Sequence, residues 1–316
     1  MPAMPAPTDV VFDAAVAELA PLRSALARRD WTAARALLDG AEPDMRTYLI
    51  HAGGEERGVE DLLRYVLAGD PDDGAAAAML GACLITAGWA VRTSARAEHV
   101  SREQFATFHD ILRRAEQVLI EAAARNPHDP AVWVQRLISA RGLELGLSEV
   151  RRRYDRLAAV DPHHLPGQVQ MLQSLCPKWS GTWEQAHAFA RECMLAAPPG
   201  SPQGVVAVDG HLEKWLDLGG GEAGRRYLAA DPVRGQVYEA AHRSVWHPAF
   251  RRRPGWVSTM STFAMVFSLI GDEPAAGSLF AALGNLASEH PWNYLGDAAE
   301  QIRTRRARAL AAGAVR

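Results

Sequence analysis

Apolar residues recur three and four positions apart along most of the chain, the spacing that gathers them on one face of a helix. The pattern predicts helices over 11–29, 32–39, 59–68, 75–87, 101–124, 131–143, 148–160 and 183–196. Period-two alternation is nearly missing, and 204–208 is the one short strand candidate. Helix starts are marked chemically. Ser101-x-x-Gln104 and Thr182-x-x-Gln185 have the form of capping boxes, in which a hydroxyl and an amide satisfy backbone groups that lack an intrahelical partner. Asp129-Pro130 and Asp161-Pro162 each put a capping acid before a proline suited to a first helical turn, and His163-His164 reads as part of such a start. The fold class that follows is all-α.

A longer period overlies this one. Pro127, Pro162, Pro198 and Pro232 close successive helical segments at intervals of 35, 36 and 34 residues, close to the tetratricopeptide period of about 34. The second helix of such a unit should carry packing residues at x, x+4 and x+7 and a proline at x+12, because the first three share a face and the last ends the helix. Five segments fit: Val59, Leu63, Val66, Pro71; Ala115, Leu119, Ala122, Pro127; Val150, Tyr154, Leu157, Pro162; Ala186, Ala190, Cys193, Pro198; and Leu279, Leu283, Leu286, Pro291. The unit ending at Pro232 departs from the frame, with Gly220 and Gly224 at packing positions, and the first-helix Trp-x-x-Leu-Gly signature is missing. The reading is a degenerate tetratricopeptide-like array, an α-solenoid forming a single helical-repeat domain over 1–316. N-terminal helices occupy 1–74, central repeats 75–232 and a C-terminal helical cap 233–316.

Composition narrows the class of partner. A 48% apolar content with a net charge of -3 excludes a disordered chain and argues against a protein that coats nucleic acid. Lys178 and Lys214 are the only lysines among 34 basic residues, which with the abundant alanine reads as coding bias. Cys83, Cys176 and Cys193 have no Cys-x-x-Cys spacing, so neither a disulfide framework nor a cysteine zinc site is expected, and a reducing cytoplasm is the expected location. The stretch 1–9 does not read as a secretory signal. The apolar run 256–270 is broken by serines and threonines and is shorter than the roughly 20 residues that span a bilayer, so it reads as a buried helix and no membrane partner is expected.

Residues 176–191 read Cys-Pro-Lys-Trp-Ser-Gly-Thr-Trp-Glu-Gln-Ala-His-Ala-Phe-Ala-Arg, followed by Pro198-Pro199-Gly200-Ser201-Pro202. This text resembles a family of uncharacterised bacterial tetratricopeptide-like proteins that place a Lys-Trp-Gly-Gly-Ser element before a Phe-Ala-Arg helix. Here the element is Lys178-Trp179-Ser180-Gly181-Thr182, with Ser180 where the family has its first glycine. The resemblance spans 75–218 and takes in Trp89 with Arg92 and the Phe108-His109 pair. It implies the fold and no activity.

Trp179 and Trp183, beside Lys178, read either as an aromatic wall with a cation at its rim or as packing anchors between repeats. Between Trp89 and His109 runs an unusually polar insertion. Arg92, Arg96, His99 and His109 make it a candidate anion pocket, since arginine's donor fork suits carboxylate or phosphate; the alternative is a solvated connector. Glu184-x-x-His187 and Glu239-x-x-His242 have the form of half a carboxylate-bridged dimetal site, with Glu103, Glu144 or Glu213 to complete it. Two such pairs are near what chance produces, so no metal or other cofactor is expected. The arginine clusters 151–153, 251–253 and 303–308 read as helix-end and surface charge, with no nucleic-acid partner. Gly219-Gly220-Gly221 reads as a flexible joint, and Trp246, Trp256 and Trp292 as packing residues.

The expected function is a binding or scaffold module for a protein or peptide, using a concave wall lined by first helices. The rival is a small-molecule enzyme whose pocket draws on Arg92, His99, His109, Glu184 and His187. Its metal-dependent version uses Glu184, His187, Glu239 and His242.

Overall fold

The structure, a computed structural model, describes residues 10–12, 17–93 and 99–313. Among these the chain is helical, with 16 α-helices and no strand longer than an isolated bridge. It divides into two compact units, one over Glu18–Thr182 and one running from Trp183 onward that takes in residues 10–12.

The first unit holds α1 (Leu19–Ala27), α2 (Trp31–Asp39), α3 (Pro43–Gly54), α4 (Val59–Gly69), α5 (Gly74–Arg92), α6 (Arg102–Arg125), α7 (Pro130–Gly142), α8 (Leu147–Val160) and α9 (Leu165–Leu175). Pairs α5/α6 and α7/α8 lie side by side, while α5 packs on α7 and α7 on α9. Small residues set the spacing. A Cβ on Gly81 would come within 2.5 Å of Leu119, so glycine there lets α6 close onto α5. The helix α5 is long and apolar enough to cross a bilayer, yet 67% of its most apolar stretch is buried against other parts of the protein, as befits a core helix.

Side chains from early helices hold the residues that cap later ones. Asp73 caps α5 by accepting from the Ala76 N–H (2.9 Å), and its other oxygen accepts from the Trp31 indole (2.8 Å). Asp129 caps α7 and is gripped by both Nη atoms of Arg46 on α3, at 2.6 and 2.8 Å. At α9 the cap is His164, whose Nδ1 accepts from the Gly167 N–H (3.3 Å) and whose Nε2 meets Thr47 of α3 at 3.0 Å. A carboxylate or neutral imidazole at these positions satisfies donors at the positive end of the helix dipole. Because α3 touches α5, α7 and α9, the flank that these helices share is occupied by the chain itself.

The second unit holds α10 (Trp183–Ala196), α11 (Gly204–Asp217), α12 (Glu222–Ala229), α13 (Asp231–Arg243), α14 (Trp256–Ile270), α15 (Glu273–Leu283) and α16 (Ala298–Gly313). Its core gathers Phe263, Phe267, Phe280 and Trp292, with Trp292 stacked on Phe280 at 5.8 Å.

Several predicted features shift. The strand candidate 204–208 is the first turn of α11, where Val205, Val206 and Val208 are buried and packing overrides β-branched preference. Asp161 does not start a helix: it ends α8 and accepts from the His163 N–H (3.1 Å), leaving His164 as the cap. Val11 lies outside any helix and pairs instead with Asn285 and Ala287. Of the five proline frames, four put their three packing residues on a helix, whereas α15 stops at Leu283 and leaves Leu286 in the following loop. Gly220 and Gly224 sit where a Cβ would come within 3.0 and 2.6 Å of the Trp215 ring, so the indole fills the space that larger packing residues would take.

Candidate functional site

The predicted ligand residues converge in part in the first unit. The end of α5 supplies Trp89 and Arg92, and α6, started by the predicted Ser101/Gln104 box, supplies Phe105, Phe108 and His109. The turn after α9 supplies Trp179. Phe108 forms the floor at 1% exposure, and Trp89 lies on it with ring centroids 4.9 Å apart. Trp179 meets Trp89 edge-on at 5.8 Å. The Arg92 guanidinium lies over Trp89 (5.3 Å) and Phe105 (5.6 Å), and that of Arg141, at the end of α7, lies over Trp179 (5.6 Å). Arg141 is steadied by donating to the Gln170 side-chain oxygen at 2.8 Å. His109 packs on Phe105 and Phe108, and its Nε2 is buried with no partner among the described residues. Trp89, Arg92, Phe105, His109, Arg141 and Trp179 all remain partly exposed.

The Lys-Trp-Ser-Gly-Thr element has a local reason. Gly181 approaches the end of α9 so closely that a Cβ would lie 2.1 Å from the Leu175 carbonyl oxygen, and this contact folds the turn that carries Trp179. Lys178 is exposed on that turn, and Arg141, which the sequence did not single out, lies over Trp179. His99 is exposed just before α6, and Arg96 lies outside the described residues.

Trp183 and the Glu-x-x-His residues belong to the second unit. Trp183 stacks on His187 at 5.9 Å, with the Lys214 ammonium 5.9 Å from the Trp183 ring and 5.1 Å from that of Tyr227. His187 Nε2 meets the Tyr227 hydroxyl (3.3 Å), which meets His211 Nδ1 (2.7 Å), while His211 Nε2 meets Gln236 Oε1 (2.9 Å). An amide oxygen only accepts, so His211 carries its proton on Nε2 and accepts from the Tyr227 hydroxyl through Nδ1, and the tyrosine oxygen accepts from His187 Nε2–H. Burial, reinforced by the neighbouring His187, pushes His211 down to about 3, and burial with Lys214 lowers His187; burial also raises the Tyr227 phenol. The chain of bonds is therefore held neutral.

No three of Glu184, His187, Glu239 and His242 come within ligand distance of one another. The physical reason is that three of the four are engaged elsewhere. Both Glu239 oxygens accept from Arg191 (2.5 and 3.1 Å), His242 packs on Tyr238 and Trp246, and His187 belongs to the tyrosine-linked chain. Among the described residues a ligand-like group forms at Asp44, Asp161 and His164. There the Gly167 N–H bond to Nδ1 fixes the His164 proton on Nε2, the nitrogen that faces Asp44 at 3.6 Å, so the imidazole offers no lone pair to a cation in this arrangement.

The arginine clusters are largely consumed by the fold. Arg153 is buried on Glu116 and Glu149, Arg252 lies over Trp256 and donates to the Ala282 carbonyl, and Arg306 donates to the Gly284 carbonyl. Sequence reasoning missed Phe105, Arg141, His211, Tyr227 and Asp44. Arg141 sits at the last turn of a predicted helix, where only the fold reveals which ring it faces.

No protein-family model, curated protein or solved structure matches the chain.

Proposed function

We propose that the protein is a binding module for a protein or peptide partner, and that the patch of Trp89, Arg92, Phe105, His109, Arg141 and Trp179 is its contact surface. The observation that carries this reading is the convergence of two tryptophans, two arginines and a histidine from α5, α6, α7 and the turn after α9 on one partly exposed patch. Tryptophan and arginine dominate the energetics of protein contacts, because each combines a large desolvated area with directed donors. Arginines already lying over rings lose little freedom when a carboxylate arrives.

A tetratricopeptide-like arrangement underlies the surface in this reading. The pairs α5/α6 and α7/α8, with α5 on α7 and α7 on α9, support it, as do the four proline frames that fall on helices. The contact surface differs from an open concave groove, since α3 lies along α5, α7 and α9. The proposed setting is the cytoplasm, with three free thiols in keeping, and neither nucleic acid nor a bilayer as partner.

Affinity capture from the native host tests the proposal, comparing the wild-type chain with Trp179→Ala and Arg141→Gln. A protein retained in stoichiometric amount by the wild type and lost from both variants, at unchanged melting temperature, is the expected result. Retention of a small molecule alone, or of the same protein by all three chains, contradicts it.

A further inference from the structure

On the first unit, away from the aromatic patch and sharing no residue with it, α6, α7 and α8 enclose an open groove of about 520 Å³. Its floor is Trp133, pinned by its indole N–H to the Pro127 carbonyl (2.8 Å), with the Arg136 guanidinium lying over the ring at 5.3 Å. Its walls include Ile120, which is 46% exposed, together with Arg152 and Arg156.

The charge of this groove is one-sided. Arginines 136, 152 and 156 and His128 line it, and no carboxylate does, on a chain whose net charge is -3. Two of the three guanidinium charges are met from behind. Arg136 donates to Glu116 (3.1 Å) and Arg152 donates twice to Glu149 (2.7 Å each). Arg156 has no ion-pair partner among the described residues. Arg136, only 8% exposed, also keeps a buried Nε–H with no acceptor among them. A buried donor without an acceptor costs free energy in the folded chain, and the part of the Arg136 guanidinium that lines the groove is available to an oxyanion.

From this geometry we infer that the groove binds a peptide segment carrying a carboxylate beside an apolar side chain, the carboxylate on Arg156 and Arg136 and the apolar group on Trp133 and Ile120. Glu116 and Glu149 also hold Arg153, so four guanidinium groups stand against two carboxylates and the groove keeps a positive excess that a carboxylate complements. Openness favours a peptide over a small ligand, because ligand pockets of about 300–1,000 Å³ normally bury most of their occupant, whereas these walls are wet and a chain segment adds contacts on either side. Ile120 and the Trp133 ring supply the apolar contact that distinguishes this occupant from a bare anion.

The test is selection of binders by the immobilised full-length protein from a pool of acetylated, amidated hexapeptides randomised over Ala, Leu, Phe, Glu and Gln, read by mass spectrometry. Glu next to Leu or Phe should be enriched. Arg156→Gln should reduce that enrichment about tenfold, the worth of one charge-assisted contact. Ile120→Glu should abolish it, and Arg64→Gln, exposed on α4 and outside both surfaces, should leave it unchanged. Arg156 and Ile120 are both exposed, so unchanged melting temperatures accompany these results. Absence of enrichment, equal enrichment of Gln peptides, or full retention by Arg156→Gln overturns the inference. Loss on Arg92→Gln with retention on Arg156→Gln assigns the peptides to the other patch and overturns it too. Octanoate competing as strongly as the selected peptides overturns the peptide as occupant.

Discussion

Arg153 and Glu116 meet at 2.7 Å inside the first unit, with side chains only 3% and 11% exposed. Glu116 also accepts from Arg136 (3.1 Å) and Ser139 (2.5 Å), and Arg153 donates to the Arg136 carbonyl (2.7 Å). The pair ties α6, α7 and α8 together. A buried charge pair contributes little net stability against an apolar replacement of both partners, but losing one partner strands the other. Arg153→Met should therefore lower stability by about 3–5 kcal/mol, read as a fall in the denaturant midpoint, and an unchanged midpoint would count against the network.

Gln135 makes the opposite prediction. Its side chain is fully buried on α7, and neither amide atom has a partner among the described residues. Gln135→Met keeps the shape and removes two unsatisfied polar groups, so it should stabilise the protein by about 1–3 kcal/mol. Thermal melting checks this, and a lowered midpoint would reveal an amide bond unaccounted for.

Gly181→Ala should destabilise the turn that carries Trp179, because the added methyl meets backbone at the end of α9 and not a movable side chain. The expected cost is about 1–3 kcal/mol, the usual range for overpacking. The more specific readout is the exposure of Trp179, followed by fluorescence in a chain where Trp179→Phe supplies the baseline.

Asp44 supplies a pH signature. Burial, with Asp161 close by, pushes its carboxyl from the usual carboxylate range up to about 7. A folded-state value above the unfolded one means that the folded chain holds the proton more tightly. Its stabilising contribution is therefore complete below about pH 4 and is lost as pH rises through 7. His211 acts in the other direction: held neutral in the fold, it favours folding above the ordinary imidazole range and loses that contribution as pH falls toward about 3. Asp44→Asn should raise the melting temperature at pH 8, where the carboxylate is charged, and change it little at pH 4. Equal shifts at both values would refute the assignment.

Helix positions, the Ser101/Gln104 box and the Asp129 cap were legible because each depends on residues within a turn or two of one another. What could not be read depends on residues far apart in the chain. Arg46 reaches Asp129 across 83 positions, and Thr47 reaches His164 across 117, so nothing local announces that α3 occupies the flank of α5, α7 and α9. The patch was half visible for the same reason. Trp89, Arg92, His109 and Trp179 stood out by residue type, while Arg141 looked like an ordinary helix-end charge. The Glu-x-x-His pairs failed where local spacing was the only support, since Arg191 comes from α10 to claim Glu239 on α13.

We propose the Trp89–Trp179 patch as a contact surface for another protein. Its most direct test is photo-crosslinking in the native host, with p-benzoylphenylalanine in place of exposed Lys178 on the turn beside Trp179, and in place of Tyr65, which is 78% exposed on α4, as control. A discrete protein adduct from position 178 that Arg141→Gln removes, with none from position 65, is the expected result. No adduct at 178, or the same adducts at both positions, would contradict it.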